Sequence, residues 1–251
     1  MRATAITAMS LLLAASLTAA PAATAATVTG GPSAGTSAPA PANTASGSVS
    51  AAATAQDYAS IFTGADANLN GSGWSACPAP IEWTVDTQGL TSAQADTQIA
   101  HLTWAFGQWS QVSGLTFTFA GIEPLTYDDT AFALSPADGS PAQLHHIYLD
   151  FVSTGQSTRL SGSTVGLGSP TQVMASSKEI VAGDAVFRTD HVKRAHTKEL
   201  RSLYLHELGH VLGLAHASAS ANVMFPIVKA KVSLGSGDVN GVRAMTKPCA
   251  A

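Results

Sequence analysis

The chain has 251 residues, with 12 Lys and Arg against 16 Asp and Glu, a formal net charge of −4. That balance, with no basic run, disfavours nucleic-acid binding. Beyond the leader no segment approaches the roughly 18 continuous apolar residues that a membrane-spanning helix needs.

Met1-Arg2 opens an otherwise uncharged apolar stretch to Ala20 that contains Leu11, Leu12, Leu13 and Leu17. A positive start, an apolar middle and the small-residue site Ala23-Thr24-Ala25 have the plan of a secretory signal peptide, so residues 1–25 are expected to be removed on export. From Ala26 to Gln56 the chain is Ala, Thr, Ser, Gly and Pro without a charge. It cannot bury enough surface to offset its ordering, and residues 26–56 are expected to be a disordered linker or a short propeptide. Residues 57–251 suit one domain with a sizeable core. Cys77 and Cys249 lie near its two ends. In an exported protein such a pair is expected to form a disulfide, stabilising by on the order of 5 kcal/mol in the chain-entropy account.

Ile81–Asp86 alternates and carries β-formers, so it predicts a first strand. Across Thr91–Val112, Ile99, Leu102, Phe106 and Trp109 recur at helical spacing, and Ser113-Gly114 ends that helix. Leu115–Phe119 and His146–Phe151 predict two more strands. Ser161–Ser169 is rich in Gly and Ser, and Ile180–Arg188 predicts a further strand. Thr197 is placed to cap the next helix, with Glu199 in its first turn where the helix dipole favours an anion. Ser236–Met245, with Asp238 near its start, predicts a short last helix. The order is α+β.

The most informative run is His206-Glu207-Leu208-Gly209-His210-Val211-Leu212-Gly213-Leu214-Ala215-His216. His206 and His210, four apart, share one face of a helix and can both reach one metal. Gly213 can take a positive φ and turn the chain, so that His216 returns as a third ligand. Three nitrogen ligands with an open fourth position describe a catalytic rather than a structural zinc. Glu207, beside the first ligand, is then the candidate proton acceptor for an attacking water. Histidines 101, 145, 146, 191 and 196 are expected to be ordinary surface or core residues.

Downstream, Asn222-Val223-Met224-Phe225-Pro226 places a methionine just after the third histidine. With the H-E-x-x-H-x-x-G-x-x-H run it resembles the Met-turn of the metzincin zinc endopeptidases, most of all their matrixin branch. Gly183-Asp184-Ala185-Val186-Phe187 is similar to the matrixin strand that precedes the active-site helix. The resemblance implies a zincin-like α+β domain with a mixed twisted sheet, a long active-site helix and a Met-turn. It implies a secreted, monomeric endopeptidase acting on protein or peptide, with one catalytic Zn²⁺. Met224 would form the floor under the imidazoles, Pro226 and Val228 a wall of the side-chain pocket, and Val165, Gly166 and Leu167 a strand edge that pairs with peptide. Two departures matter. Val186 stands where matrixins commonly carry a structural-zinc histidine, so a second zinc is not expected. Arg188-Thr189-Asp190 stands where acidic calcium ligands are usual, which puts a Ca²⁺ site in doubt. No P-R-C-G-type cysteine switch is present. The competing readings are a zinc-holding binding module that no longer cuts and a cell-surface protein.

Overall fold

The structure, a computed structural model, describes residues 6–8, 14–16, 57–77, 79–228 and 230–248. The linker assigned to residues 26–56, Cys249, and the leader apart from two short strands lie outside the described residues. Those strands are β1 (Ile6–Ala8) and β2 (Ala14–Ser16). After them come β3 (Ile81–Asp86), α1 (Ser92–Ser113), β4 (Phe117–Ile122), β5 (Leu125–Asp128), β6 (Ala133–Pro136), β7 (His146–Val152), β8 (Thr164–Met174) and β9 (Glu179–Arg188). The chain continues with α2 (Thr189–Val192), α3 (Thr197–Val211) and α4 (Ser236–Met245). No helix among the described residues is long and apolar enough to cross a membrane.

The sheet is mixed, in the order β8-β9-β7-β3-β4, with β1 and β2 both antiparallel to β8. Strands β9, β7, β3 and β4 run parallel, and β8 returns antiparallel to β9. Parallel strands need both faces covered, and every residue of β7 is buried. Helix α1 covers one face. Its start is fixed by a capping box, in which the Thr91 hydroxyl accepts from Gln94 N–H at 3.3 Å and the Gln94 amide oxygen accepts from Thr91 N–H at 3.0 Å. Its end is fixed by Gly114 at φ 77°. Phe106 stacks on Trp83 of β3, with centroids 4.9 Å apart. Trp109 donates its indole N–H to the Leu205 carbonyl at 3.0 Å, joining α1 to α3.

Helix α3 lies directly against β8 because two glycines clear the way. A β-carbon on Gly168 would fall on the Glu207 carbonyl, and one on Gly166 would come within 2.8 Å of the Glu207 side chain. On β9, a β-carbon on Gly183 would meet Val211 at 2.7 Å.

Several boundaries differ from the sequence expectation. The second strand starts at Phe117 rather than Leu115, because the left-handed turn at Gly114 uses up the residues after α1; Leu115 instead turns into the core. Thr197 is the first residue of α3, not its cap: His196 holds that position and makes no side-chain capping bond. The Gly/Ser-rich segment is the start of the long strand β8, which runs on through Pro170. Register slips beside that residue, as expected where proline has no N–H to give the ladder. The hairpin of β5 and β6 was not anticipated.

Val186 is fully buried in a second, smaller apolar cluster with Leu125, Phe132, Leu134, Tyr148 and Leu167. The position is filled by apolar packing. Arg188 pairs with Asp190 at 2.9 Å and donates to the Gly162 carbonyl at 2.8 Å. A guanidinium therefore ties the end of β9 to the loop before β8.

Candidate metal centre

His206 and His210 project from one face of α3, and both are fully buried. Helix α3 stops at Val211, and Gly213, at φ 100°, reverses the chain as expected. His216 then comes back toward the other two. The three imidazoles each offer a nitrogen, and these atoms all lie within 4.8 Å of one another.

Each helical imidazole is held from behind. His206 Nδ1 lies 2.8 Å from the Val223 carbonyl, and His210 Nδ1 lies 2.7 Å from the Leu214 carbonyl. A carbonyl can only accept, so each Nδ1 carries the proton and each Nε2 presents a lone pair. The two Nε2 atoms face one another at 3.2 Å. Two lone pairs at that distance repel unless a cation sits between them. Neighbouring ligands of a tetrahedral zinc, with Zn–N of about 2.05 Å, are themselves about 3.3 Å apart. His216 Nε2 is buried without a hydrogen-bond partner. The donor set therefore fits a zinc ion.

Burial lowers the His206 pKa to about 4, with the neighbouring His216 adding to it and the Val223 carbonyl opposing it. His210 is driven well down by burial and then by the two other imidazoles, and His216 is lowered by burial. All three are neutral at pH 7, the form that binds metal.

Glu207 is fully buried, and neither carboxylate oxygen completes a hydrogen bond of good geometry. Burial raises its pKa well above the ordinary value, while the nearby Gly168 N–H pulls the other way. An unpartnered buried carboxylate is costly, and a metal cation at the adjacent imidazoles would relieve that cost.

Met224 is buried below α3, so close to Gly209 that a β-carbon there would strike its sulfur. Gly209 lies between the two helical histidines, which puts the thioether under them. The turn is pinned by Asp238, whose carboxylate accepts from Val223 N–H at 2.7 Å, Met224 N–H at 3.1 Å and Gly235 N–H at 2.7 Å. The Val223 carbonyl accepts from His206 Nδ1–H, and the N–H of the same peptide group, that of Met224, donates to Asp238, so Asp238 orients a candidate ligand through one peptide unit. The sequence reading placed Asp238 only as a helix-start residue; this reach to the turn is long-range and has no local signature.

Val165 and Leu167 bury their side chains, so along this edge of β8, which Ala14–Ser16 lines, a partner meets only backbone. Pro226 and Val228 follow the Met-turn, with Pro226 part-exposed and Val228 buried. Cys77 is described and Cys249 is not. His191 Nε2 lies 3.5 Å from Glu199.

His146 is buried in β7, with its Nε2 3.1 Å from the Thr84 hydroxyl and its Nδ1 unpartnered. Burial lowers its pKa to about 4. The unfolded chain takes that proton near the ordinary value of about 6.5. Between these values the unfolded state binds more protons, so stability is present above pH 6.5 and falls as pH falls toward 4. His146→Gln is expected to flatten part of that loss. Denaturant midpoints taken from pH 7 to 4 measure it, and a variant as acid-sensitive as the parent would refute the assignment to His146.

The family model described as Matrixin matches residues 74–246. Metalloendoproteinase 2-MMP of Arabidopsis thaliana is 28% identical over 150 residues, covering 55% of this chain and 34% of that protein. Metalloendoproteinase 4-MMP of the same plant is 41% identical over 59 residues, covering 22% of this chain and 17% of that protein. The chain thus spans about a third or less of the relatives it matches.

Proposed function

The chain belongs to the matrixins, and from that premise we propose that it is a secreted zinc endopeptidase in which Glu207 serves as the base. The observation that carries this reading is the convergence of His206, His210 and His216 next to a buried carboxylate that nothing else satisfies. These three residues would hold one zinc ion. When bound, it would acidify a water and polarise the peptide carbonyl.

Glu207 accepts a proton from the attacking water and returns it to the leaving amine nitrogen. The Nδ1 bonds of His206 and His210 fix both rings so that Nε2 faces the metal position. Met224 packs below and excludes water from that side. Peptide adds as a strand along Thr164–Gly168 of β8, with Val165, Gly166 and Leu167 supplying backbone, and Pro226 and Val228 flank the side-chain pocket. The antiparallel seat of Ala14–Ser16 on Thr164–Leu167 supports this, because it is an extended segment on that edge.

The proposal includes one zinc and no second one, a monomer, a signal peptide at residues 1–25 and a linker or short propeptide at 26–56. Elemental analysis of the purified protein tests it together with peptide cleavage. One zinc per chain is expected, with cleavage lost to a chelator and restored by added Zn²⁺. Cleavage that survives metal removal would refute the mechanism. One tightly held zinc with no cleavage of any peptide would make the chain a binding module.

A disulfide between Cys77 and Cys249 is also proposed. Ser75 and Lys247 form a parallel bridge, with Ala76 N–H donating to the Lys247 carbonyl at 3.1 Å. That bridge brings the segment just before Cys77 alongside the C-terminal segment at Lys247. No free cysteine is found among the described residues. Breaking the bond by Cys77→Ser with Cys249→Ser is expected to cost about 2–4 kcal/mol of stability. Two titratable thiols in the unfolded, unreduced protein would refute the pairing.

A further inference from the structure

His216 stands outside α3, so no helical hydrogen bond fixes it, and its position depends on the segments on either side. The segment before it is paired with residues 59–61. Ser60 bridges Leu214, Ile61 N–H donates to the Gly213 carbonyl at 2.9 Å, and Ala215 N–H donates to the Ala59 carbonyl at 2.8 Å. The segment after it, from Ala217 to Asn222, is gathered by one carboxylate. Asp57 accepts from Ser218 N–H at 2.9 Å, the Ser218 hydroxyl at 2.6 Å, Ala219 N–H at 3.1 Å and the Asn222 side-chain amide. Asn222 passes the tie onward, its amide oxygen accepting from Gly237 N–H at 3.0 Å at the start of α4. That helix start also carries Asp238, which pins the Met-turn. Asp57 therefore closes the loop between the third imidazole and the methionine floor, from a point 161 residues before Ser218 in the chain.

We propose that Asp57 is a positioning residue for the third zinc ligand: its carboxylate holds the 217–222 loop so that His216 stays within reach of the metal shared by His206 and His210. This rests on the zinc reading above. It sets a limit on maturation, since residues up to 56 can be removed without touching the clamp, whereas removal of Asp57 opens the loop. The four donors at the carboxylate hold its pKa below the ordinary value, the Ser218 hydroxyl foremost.

The test uses the full chain carrying Asp57→Ala, Asp57→Asn or Asp57→Glu. Three readouts are taken: Zn²⁺ affinity by chelator competition, kcat and KM on one peptide, and the melting temperature of the zinc-free protein. Asp57→Ala is expected to weaken Zn²⁺ binding by about 10–100-fold, the usual cost of losing a group that orients a ligand. It should lower kcat and leave KM in place, and Asp57→Glu should recover more than Asp57→Asn. The naturally processed enzyme is expected to begin at or before Asp57. Asp57→Ala with parental Zn²⁺ affinity and kcat, whatever its melting temperature, would reduce the residue to a fold staple and overturn the proposal. An active processed form that begins after Asp57 would overturn it too. A parent that binds no Zn²⁺ refutes the zinc reading itself and this inference with it, an outcome separate from the first two.

Discussion

Glu207→Gln is expected to lower kcat by about 10²–10⁴-fold, the usual share of a positioned acid–base group, while zinc content stays at one per chain. Glutamine has the shape of glutamate, so the packing against Gly166 survives. What disappears is the ability to take a proton from water. Stability gives a second readout. Glu207 is a fully buried carboxylate without a good hydrogen-bond partner. Neutralising it removes a group that opposes folding, so the zinc-free variant should melt no lower than the zinc-free parent. Inactivity combined with early melting would mean the substitution damaged the fold. Cleavage at the parental rate would mean another group is the base.

A large loss of stability is expected from Gly168→Ala. The added β-carbon lands on the Glu207 backbone carbonyl, and neither β8 nor α3 has a flexible side chain at that point to yield. Overpacking a core typically costs about 1–3 kcal/mol; a clash between two backbones belongs at the upper end. For a domain of this size that is a fall in melting temperature on the order of 5–10 °C. Cleavage should fall as well, because the strand proposed to seat the peptide is pushed off the helix that carries Glu207. Gly107→Ala is the control. It lies inside α1 with nothing within 4 Å of its β-carbon, so it should stabilise by up to about 1 kcal/mol. Calorimetry on both variants decides it. A Gly168→Ala protein melting within a degree of the parent would contradict the direct seat of α3 on β8.

The features legible in the chain were those whose cause is local. The spacing of His206 and His210 needs only helical periodicity, and the return of His216 needs only a glycine free to adopt the φ seen at Gly213. Helix α4 was readable to the residue, and α1 to within one, since capping and stop residues bracket the apolar period. The hairpin of β5 and β6 was missed because its strands are four residues each and end in Asp and Pro, which read as turns. Of β8, only Val165–Leu167 was foreseen as a strand edge, and that through the resemblance; the rest was missed because Pro170, with no N–H for the ladder, reads as a stop, while Gly166 and Gly168 are needed where the strand must clear α3. The roles of Asp57 and Asp238 had no local signature at all. Each carboxylate satisfies N–H groups that only the tertiary fold brings to it.

The second apolar cluster around Val186 has a practical corollary. Leucines, a phenylalanine and a tyrosine stitch that side of the sheet, so side-chain burial is what holds it. If the proposed zinc reading holds, metal removal should abolish cleavage yet leave a folded molecule that added zinc switches on again, and a stock stored in that form would not digest itself.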